Sequence, residues 1–269
     1  MMKRLLLLAS LCALAACQTV QTTTPGLVGV NRPQSMMISS AEVNASAEAA
    51  YQQQVGGAAK KGQVNRDPAQ VERVRRIAQR LISQTGAFRP DAPAWKWETN
   101  VISAKEVNAW CMPGGKIAVY TGLIERLQPT DEELAAVMGH EIAHALREHG
   151  RERVSQAQAQ GMIISVLGVA TGATQGTLDL TQMVVELTMN LPNSREHETE
   201  ADRIGVELAA RAGYDPRGAI TLWEKMGKVG GGQPPEFLST HPNHATRISD
   251  LRVYSAKVLP LYEAARLRR

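Results

Sequence analysis

Apolar residues recur at helical spacing along most of this chain and alternate with polar residues in only one region. Val71, Val74, Ile77 and Leu81 lie three to four residues apart and predict one apolar helix face. Residues 161–172 are apolar and too short to span a bilayer, so they predict a buried helix, and residues 178–189 predict a second apolar helix. Residues 194–213, 215–228 and 245–269 also have helical patterns. The chain is therefore predicted to be mostly helical.

The alternating region lies between residues 95 and 120 and predicts a small β-sheet. Residues 116–120, Lys-Ile-Ala-Val-Tyr, alternate in the way that a half-buried strand does. Pro113-Gly114-Gly115 precedes them and predicts the turn of a hairpin. The predicted fold class is α+β. An edge strand of such a hairpin can pair with an extended peptide, and an ordinary structural hairpin fits the pattern equally well.

Residues 130–150 predict a helix whose two ends are both marked. Thr130 and Glu133 match a capping box at its start, and Gly150 is a typical stop residue at its end. The residues between them are apolar nearly all round, which predicts that this helix is buried. We expect the rest of the fold to be organised around it.

This helix contains the sequence His140-Glu141-Ile142-Ala143-His144. Side chains four residues apart share a helix face, so both histidines can bind one metal ion. Glu141 is rotated by about 100° from His140, where a general base for an attacking water belongs. Histidines that are solvated, or satisfied by partners in the core, are the alternative. Burying two histidines and a glutamate without partners or a metal is costly, which favours the metal site.

A catalytic zinc site needs a third protein ligand, and residues 194–205 offer several. Glu198 and Asp202 are four residues apart and share a helix face, as do Glu196 and Glu200. His197 is a weaker candidate. An aspartate one turn after a ligand glutamate can accept the free N–H of a ligand histidine. Spacing alone does not choose between the two pairs.

The motif H-E-x-x-H, followed some fifty residues later by E-x-E-A-D-x-x-G, resembles the Ste-type, HtpX-like family of zinc metallopeptidases. Among them it resembles the periplasmic BepA-like and LoiP-like lipoprotein proteases, over about residues 36–253. The resemblance implies a gluzincin-type domain with one Zn²⁺ per chain and the small sheet beside the active-site helix. It also implies that His140, His144 and Glu198 bind the metal, and that Asp202 supports a ligand histidine.

Two further stretches resemble the same family. Ser239-Thr240-His241-Pro242 and Arg247 match residues that stabilise the oxyanion in relatives, or whose histidine closes the site over the metal. The hairpin matches a strand that is implicated in substrate pairing, through Asn108, Ala109, Trp110, Pro113, Gly114 and Gly115. We expect His149, His197 and His244 to be surface residues. Glu141, His241 and Arg247 are thus the candidate catalytic residues.

The amino terminus resembles a bacterial lipoprotein signal. Lys3 and Arg4 precede an apolar run, and Leu14-Ala15-Ala16-Cys17 resembles a lipobox. We expect a signal peptide over residues 1–16, lipidation of Cys17, a membrane tether over 17–35 and a zinc metallopeptidase domain over 36–269. An ordinary secretory peptide is the alternative. Gln at position 18 favours, by resemblance, an outer-membrane lipoprotein that faces the periplasm of a Gram-negative bacterium.

Charge and cysteine content narrow the function classes. The net charge of +4 falls to +2 without Lys3 and Arg4, which does not indicate a nucleic-acid partner. With Cys12 removed and Cys17 lipidated, Cys111 is the only free thiol, so no intrachain disulfide is expected.

The predicted function is a zinc-dependent endopeptidase that hydrolyses misfolded or unassembled envelope proteins, with Glu141 as general base. Its partners are polypeptide substrates, the membrane through the lipid anchor, and outer-membrane assembly machinery. One alternative is a latched, largely non-proteolytic chaperone or assembly factor for outer-membrane proteins. A purely structural metal protein is the other alternative, although it leaves Glu141 without a purpose.

Overall fold

The computed structural model describes residues 18–171, 180–229, 235–242 and 246–268. It is mostly helical with two small sheets, which confirms the predicted α+β class. Within these ranges no helix has both the length and the apolarity needed to cross a bilayer. The strands are β1 (Gln18–Val20), β2 (Gln34–Met36), β3 (Glu98–Ile102), β4 (Ala109–Met112) and β5 (Lys116–Tyr120).

The α-helices of the described residues are numbered α1 to α10 in chain order. The first five are α1 (Ser40–Lys60), α2 (Pro68–Ile82), α3 (Thr121–Leu127), α4 (Asp131–Leu146) and α5 (His149–Thr171). The others are α6 (Leu180–Val185), α7 (Arg195–Arg211), α8 (Gly218–Lys228), α9 (Glu236–Thr240) and α10 (Arg247–Arg266). A π-helical turn, Glu186–Asn190, follows α6 directly. Short 3-10 turns lie at Thr85–Ala87 and Ala92–Ala94.

The predicted hairpin is confirmed as β4 and β5. The sheet has the order β3-β5-β4, with β3 parallel and β4 antiparallel to β5, so β4 is an edge strand. Gly114 and Gly115 form the turn with φ of +83° and +87°. A Cβ atom on Gly115 would lie 2.6 Å from the Trp97 ring, so this position also needs glycine for space.

Helix α4 is at the centre of the molecule and packs against β4, α2, α7 and α8. Its predicted capping box is present: Thr130 Oγ1 accepts from the Glu133 N–H, and the Glu133 carboxylate accepts from the Thr130 N–H at 2.8 Å. A Cβ on Gly139 would lie 2.9 Å from the Gly205 carbonyl oxygen. A Cβ on Gly205 would lie 2.8 Å from the backbone nitrogen of His140. These two glycines therefore let α4 and α7 cross in backbone contact.

The predicted end of this helix at Gly150 is wrong. Helix α4 ends before it, and Glu148 adopts a left-handed conformation with φ of +52°. Arg89 and Arg151 each donate to the Glu148 carboxylate at 2.6 Å, which holds the turn without a glycine. Gly150 lies inside α5, where a Cβ would meet Thr188 at 2.5 Å, so its small size serves packing.

Other helix boundaries also differ from the expectation. Helix α1 continues through Gly56 and Gly57 to Lys60. Each glycine disfavours a helix by only about 1 kcal/mol, and Ala58 is buried beyond them. Residues 161–171 form the end of α5 rather than a separate helix. The side chains of residues 162–171, for which burial was predicted, are not among those that the structure describes. Ser194 caps α7, and its hydroxyl accepts from the His197 N–H.

The predicted membrane tether, residues 17–35, has a defined structure from residue 18 onward. Strands β1 and β2 pair antiparallel, and Val28 and Val30 are buried in the main core. Polar side chains supply the other contacts: the Gln34 amide donates to the Arg147 carbonyl at 2.8 Å and to Glu152 at 2.7 Å. The N-terminal segment, residues 18–36, is thus packed on the domain. The predicted signal peptide and Cys17 lie outside the described residues.

Candidate metal centre

Four buried side chains bring metal-binding atoms together: His140, His144, Glu198 and His241. The Nε2 atoms of His140 and His144 are 3.1 Å apart. Glu198 Oε2 is 3.5 Å from His140 Nε2, and its Oε1 is 3.3 Å from His144 Nε2. His241 Nδ1 lies 3.2 Å from His140 Nε2 and 3.0 Å from Glu198 Oε1. All four groups lie within 4.8 Å of one another.

This arrangement fits a zinc ion. Zinc binds histidine nitrogen and carboxylate oxygen at about 2.0–2.2 Å in a tetrahedron, which places neighbouring donor atoms ~3.3 Å apart. The separations of 3.0–3.5 Å between these atoms match that value. Without a bound cation, the same buried lone pairs would repel one another. The predicted ligands His140, His144 and Glu198 are thus brought together, with His241 as a fourth donor.

The structure separates the glutamates that spacing left open. Glu198 is fully buried and faces α4, because α7 crosses α4 at the contact between Gly139 and Gly205. Glu196 is largely exposed and lies 3.4 Å from Arg32. Glu200 is buried on another face of α7, where it contacts Arg147 rather than the donor set. The pair that the resemblance implied, Glu198 and Asp202, is therefore the one beside the histidines.

Asp202 and Arg247 support the ligands on the His140 side. Asp202 Oδ1 is 3.0 Å from His140 Nδ1, so it can accept the N–H that leaves Nε2 free for the metal. Arg247 donates to Glu198 at 2.7 Å and to Asp202 at 2.7 Å, and its guanidinium lies 3.4 Å from the centre of the Trp223 ring. Burial raises the pKa of Asp202, but Arg247 and His140 outweigh this and lower it.

The position of Arg247 differs from the oxyanion role that the resemblance implied. Its guanidinium is almost fully buried and is engaged by two carboxylates. It does not line the cleft where Glu141 and His241 lie. This geometry favours a role in holding Glu198 and Asp202 in place.

Glu141 faces a narrow cleft beside the donor set. Its Oε1 lies 3.4 Å from His241 Nε2. Burial raises its pKa, which the positive charge that His241 and His140 can carry only partly opposes. The cavity has a volume of about 20 Å³ and is also lined by His144, Pro113 and Thr188.

The predicted substrate strand reaches this cleft at one end only. Pro113 lines the cavity together with Cys111. Trp110 lies on β4 and packs edge-on against Tyr51, with ring centres 5.9 Å apart. Ala109 is in the same strand, and the Asn108 carbonyl accepts from the Tyr120 N–H. Gly114 and Gly115 form the turn beyond the cleft.

The expectation that His149 and His197 are surface residues is wrong, because both are buried. His149 Nδ1 lies 2.9 Å from His144 Nδ1, and His149 Nε2 lies 2.9 Å from Glu200. His149 follows His144 across the break at Glu148, so helical spacing gave no sign of the contact. His244 lies outside the described residues.

The H-E-x-x-H helix, the glutamate from a second helix and the buried Glu141 beside them are typical of a metallopeptidase of the gluzincin type. The model of the Peptidase family M48 matches residues 68–255, which is more than half of the chain. The chain therefore belongs to peptidase family M48. The predicted class, a zinc metalloendopeptidase, and the predicted zinc cofactor are confirmed at the level of the family and its named members.

Several curated proteins are similar to this chain. The mitochondrial metalloendopeptidase OMA1 of Arabidopsis thaliana is 42% identical over 56% of this chain and 30% of its own length. That of Saccharomyces cerevisiae is 33% identical over 62% of this chain and 50% of its own length. The beta-barrel assembly-enhancing protease of Escherichia coli is 26% identical over 72% of this chain and 41% of its own length. The matched part thus spans half or less of these relatives.

These relatives correct two expectations. The predicted nearness to periplasmic lipoprotein proteases is not shown, because the relatives at 33–42% identity are named as mitochondrial enzymes and the beta-barrel protease is at 26%. The same finding contradicts the predicted location in a Gram-negative outer membrane facing the periplasm, and we withdraw that prediction. That prediction had depended on the lipobox-like tetrapeptide, on the charged and apolar residues before it and on Gln18.

Proposed function

We propose that this chain is a zinc-dependent endopeptidase in which Glu141 acts as general base. The observation that carries the proposal is the position of the Glu141 carboxylate, in the cleft and beside the donor set of His140, His144 and Glu198. A purely structural metal site would give a buried carboxylate at this place no use. The activity of named relatives as metalloendopeptidases supports the same assignment.

The side chains divide the work as follows. His140, His144 and Glu198 would hold the zinc, and Asp202 with Arg247 would keep His140 and Glu198 oriented. When bound, zinc supplies Lewis-acid chemistry that acidifies water and polarises a peptide carbonyl. Glu141 takes the proton of the attacking water and transfers it to the leaving amine. Its raised pKa suits it to both halves of this transfer.

The substrates that we propose are extended segments of misfolded or unassembled polypeptides. Strand β4 is an edge strand, and Cys111 and Pro113 at its end line the cleft that contains Glu141. An edge strand can bind any extended backbone through its main chain, largely independently of sequence. A cleft of about 20 Å³ offers no large pocket for a specific side chain.

A second candidate function rests on His241, the fourth donor. Its Nδ1 is as close to His140 and Glu198 as the other ligand atoms are to each other, so it can close the donor set. Phe237 stacks on it, with ring centres 4.3 Å apart. Burial lowers the pKa of His241, but the charges of Glu198 and Glu141 outweigh this and raise it. A chain held in this state would act as a largely non-proteolytic assembly factor.

The first experiment compares wild type with Glu141→Gln in zinc content and casein hydrolysis. We expect one zinc per chain in both proteins, with hydrolysis lost in the variant by a factor of about 100 or more. Equal hydrolysis by both proteins would rule out the role of Glu141. One zinc in both with hydrolysis in neither would favour the closed state.

The second experiment removes the fourth donor through His241→Ala. If His241 closes the site, hydrolysis should rise while zinc stays bound. If it stabilises the oxyanion, hydrolysis should fall with zinc unchanged. Phe237→Leu is the matched control, because it removes the ring that stacks on His241 and leaves the imidazole present.

A further inference from the structure

A buried polar cluster extends from His144 to the N-terminal segment, and the proposed mechanism gives its members no role. We call it the histidine–carboxylate cluster. The negative charges of its two carboxylates equal the positive charges of its two guanidiniums when both histidines are neutral. All of its members are buried except Arg32, which is partly exposed. They are Arg32, Arg147, His149, Glu152, His197 and Glu200.

His149 joins a zinc ligand to this cluster. The Nε2 atom of His144 faces the other donors, so its Nδ1 must carry the proton when zinc is bound. That Nδ1 is 2.9 Å from His149 Nδ1, which can accept the proton's hydrogen bond. His149 then carries its own proton on Nε2, which lies 2.9 Å from Glu200 Oε2 and can donate to it. One set of tautomers satisfies every contact.

Glu200 is fixed in turn by two arginines. Arg147 donates to both oxygens of Glu200 at 3.0–3.1 Å and is itself fully buried. Arg32 donates to Glu200 at 2.9 Å and 3.2 Å, and to Glu152 at 2.6 Å and 2.8 Å. Charge-assisted contacts of this kind are short and directional, so the Glu200 carboxylate has little freedom to turn.

The ring of His149 is held from its face as well. His197 stacks on it with ring centres 4.3 Å apart and an angle of 15° between the planes. The Nε2 of His197 lies 3.1 Å from Glu152, the carboxylate that also binds Arg32. Both contacts that orient His149 therefore depend on carboxylates that share Arg32.

Arg32 belongs to the N-terminal segment, outside the residues 68–255 that match the family. The segment is attached at several points: Gln34 donates to Glu152 at 2.7 Å, and the Thr22 hydroxyl donates to the Arg147 carbonyl at 3.2 Å. A part of the chain beyond the family match thus contacts the carboxylates that hold His149.

We propose that His149 is a positioning residue for the zinc ligand His144, and that the N-terminal segment fixes this pair by binding Glu200 through Arg32. The inference deepens the proposed function and rests on it for the link to hydrolysis. A hydrogen bond to the free nitrogen of a ligand histidine fixes its tautomer and ring orientation, and losing one weakens metal binding about 10- to 100-fold. Here the acceptor is a second histidine instead of a carboxylate.

The first test is His149→Leu, which fills much of the same space and removes the acceptor. We expect zinc affinity, measured by competition with a chelator, to fall about 10-fold or more. The absorption spectrum of the Co²⁺-substituted protein should change with the loosened ligand. His149→Gln, whose amide offers both an acceptor and a donor, should restore part of the affinity. Wild-type affinity and spectrum in His149→Leu would overturn the proposal.

The second test is Arg32→Gln, with Arg73→Gln as matched control. The side chains of Arg32 and Arg73 are similarly exposed, at 23% and 28%. Arg73 binds Asp131 at 2.7 Å, at the first turn of the ligand helix and away from the cluster. We expect zinc affinity to fall severalfold in Arg32→Gln, to recover partly in Arg32→Lys and to stay unchanged in Arg73→Gln. Equal losses in both glutamine variants would overturn the role of the N-terminal segment.

Thermal unfolding of each metal-free variant shows which of them are folded. If His149→Leu does not fold, Arg32→Gln and its control Arg73→Gln decide the proposal, because the side chains of both arginines reach the surface. Zinc affinity is read without substrate, so the two proposals fail separately. A wild type that binds zinc and cleaves nothing would refute the endopeptidase, whereas unchanged zinc affinity in folded His149→Leu would refute this inference.

Discussion

The two histidines of the metal centre occupy equivalent places on one helix but are supported in different ways. His140 contacts a carboxylate directly, since Asp202 lies 3.0 Å from its Nδ1. His144 contacts a second histidine, His149, which in turn contacts Glu200. Arginines bind the carboxylate on each side. Arg247 donates to Asp202, and both Arg147 and Arg32 donate to Glu200.

The difference shows how distant parts of the chain converge on one motif. The His140 side depends on Arg247, the first residue of α10 near the carboxyl end. The His144 side depends on Arg32, near the amino end. Helix α7 supplies the carboxylate of both sides, through Asp202 and Glu200, which are two residues apart and lie on different faces of the helix. Segments near both ends of the chain are therefore expected to affect zinc binding. Arg247 acts through its direct contact with Glu198, whereas Arg32 acts on His144 through Glu200 and His149.

The largest effect is expected from Glu198→Ala, which removes the ligand shared by both sides. Only two histidines of the predicted ligand set would remain, so the zinc content should fall from one per chain to near zero. Glu196→Ala is the matched control, since Glu196 lies two residues earlier on α7 and is largely exposed. Zinc content measured after dialysis would contradict the ligand assignment if it stayed near one in Glu198→Ala.

The next effect distinguishes the two sides through Asp202→Ala and Glu200→Ala. We expect Asp202→Ala to weaken zinc binding about 10- to 100-fold, because it removes the direct partner of a ligand. Glu200→Ala should weaken it less, because His149 stays beside His144. Chelator competition measures both, and metal-free melting separates loss of affinity from loss of fold. An equal or greater loss in Glu200→Ala would break the comparison.

The stability of the metal-free protein should also depend on pH, mainly through the His144 side. Burial lowers the pKa of His144 to about 3 and lowers that of His149 as well, whereas both titrate near 6.5 in an unfolded chain. Below about pH 6.5 the unfolded chain therefore binds more protons, and the free energy of unfolding of the metal-free protein falls with pH. His241, whose pKa is raised, contributes with the opposite sign and loses its contribution as pH rises.

Urea unfolding in the presence of a chelator at pH 7 and pH 5.5 measures this loss. Each buried neutral histidine contributes a slope of up to ~1.4 kcal/mol per pH unit. His149→Leu removes one of them and should have a shallower pH dependence than wild type. Stability that rises on acidification would contradict the burial of neutral histidines on the His144 side.

The smallest effect is expected at the start of the ligand helix. Thr130→Ala removes one half of the capping box and should lower the free energy of unfolding by about 1 kcal/mol. Zinc affinity should stay unchanged, because the contacts that orient His140 and His144 come from other elements. Ser194→Ala makes the corresponding change on α7, and a loss of zinc affinity in either variant would show that helix caps help to position the ligands.

Local signals predicted the parts of the fold that depend on neighbouring residues. The capping box of α4 and the hairpin around Pro113 follow from residues a few positions apart. The end of α4 did not follow, because Glu148 adopts a left-handed conformation that Arg89 and Arg151 stabilise from elsewhere in the chain. The attachment of the N-terminal segment did not follow either, because its contacts join it to residues far along the chain, as Gln34 does with Arg147 and Glu152.

The sequence by itself determined that His140, Glu141 and His144 share a helix, because i, i+4 spacing has only one geometric meaning on a helix. Spacing left open which glutamate completes the donor set, and the resemblance implied Glu198. The tertiary structure gives the physical reason, because Glu198 lies beside the histidines whereas Glu200 contacts Arg147 on another face of α7. It also decided that His149 and Arg32 support the site, since their contacts join residues that no local spacing relates.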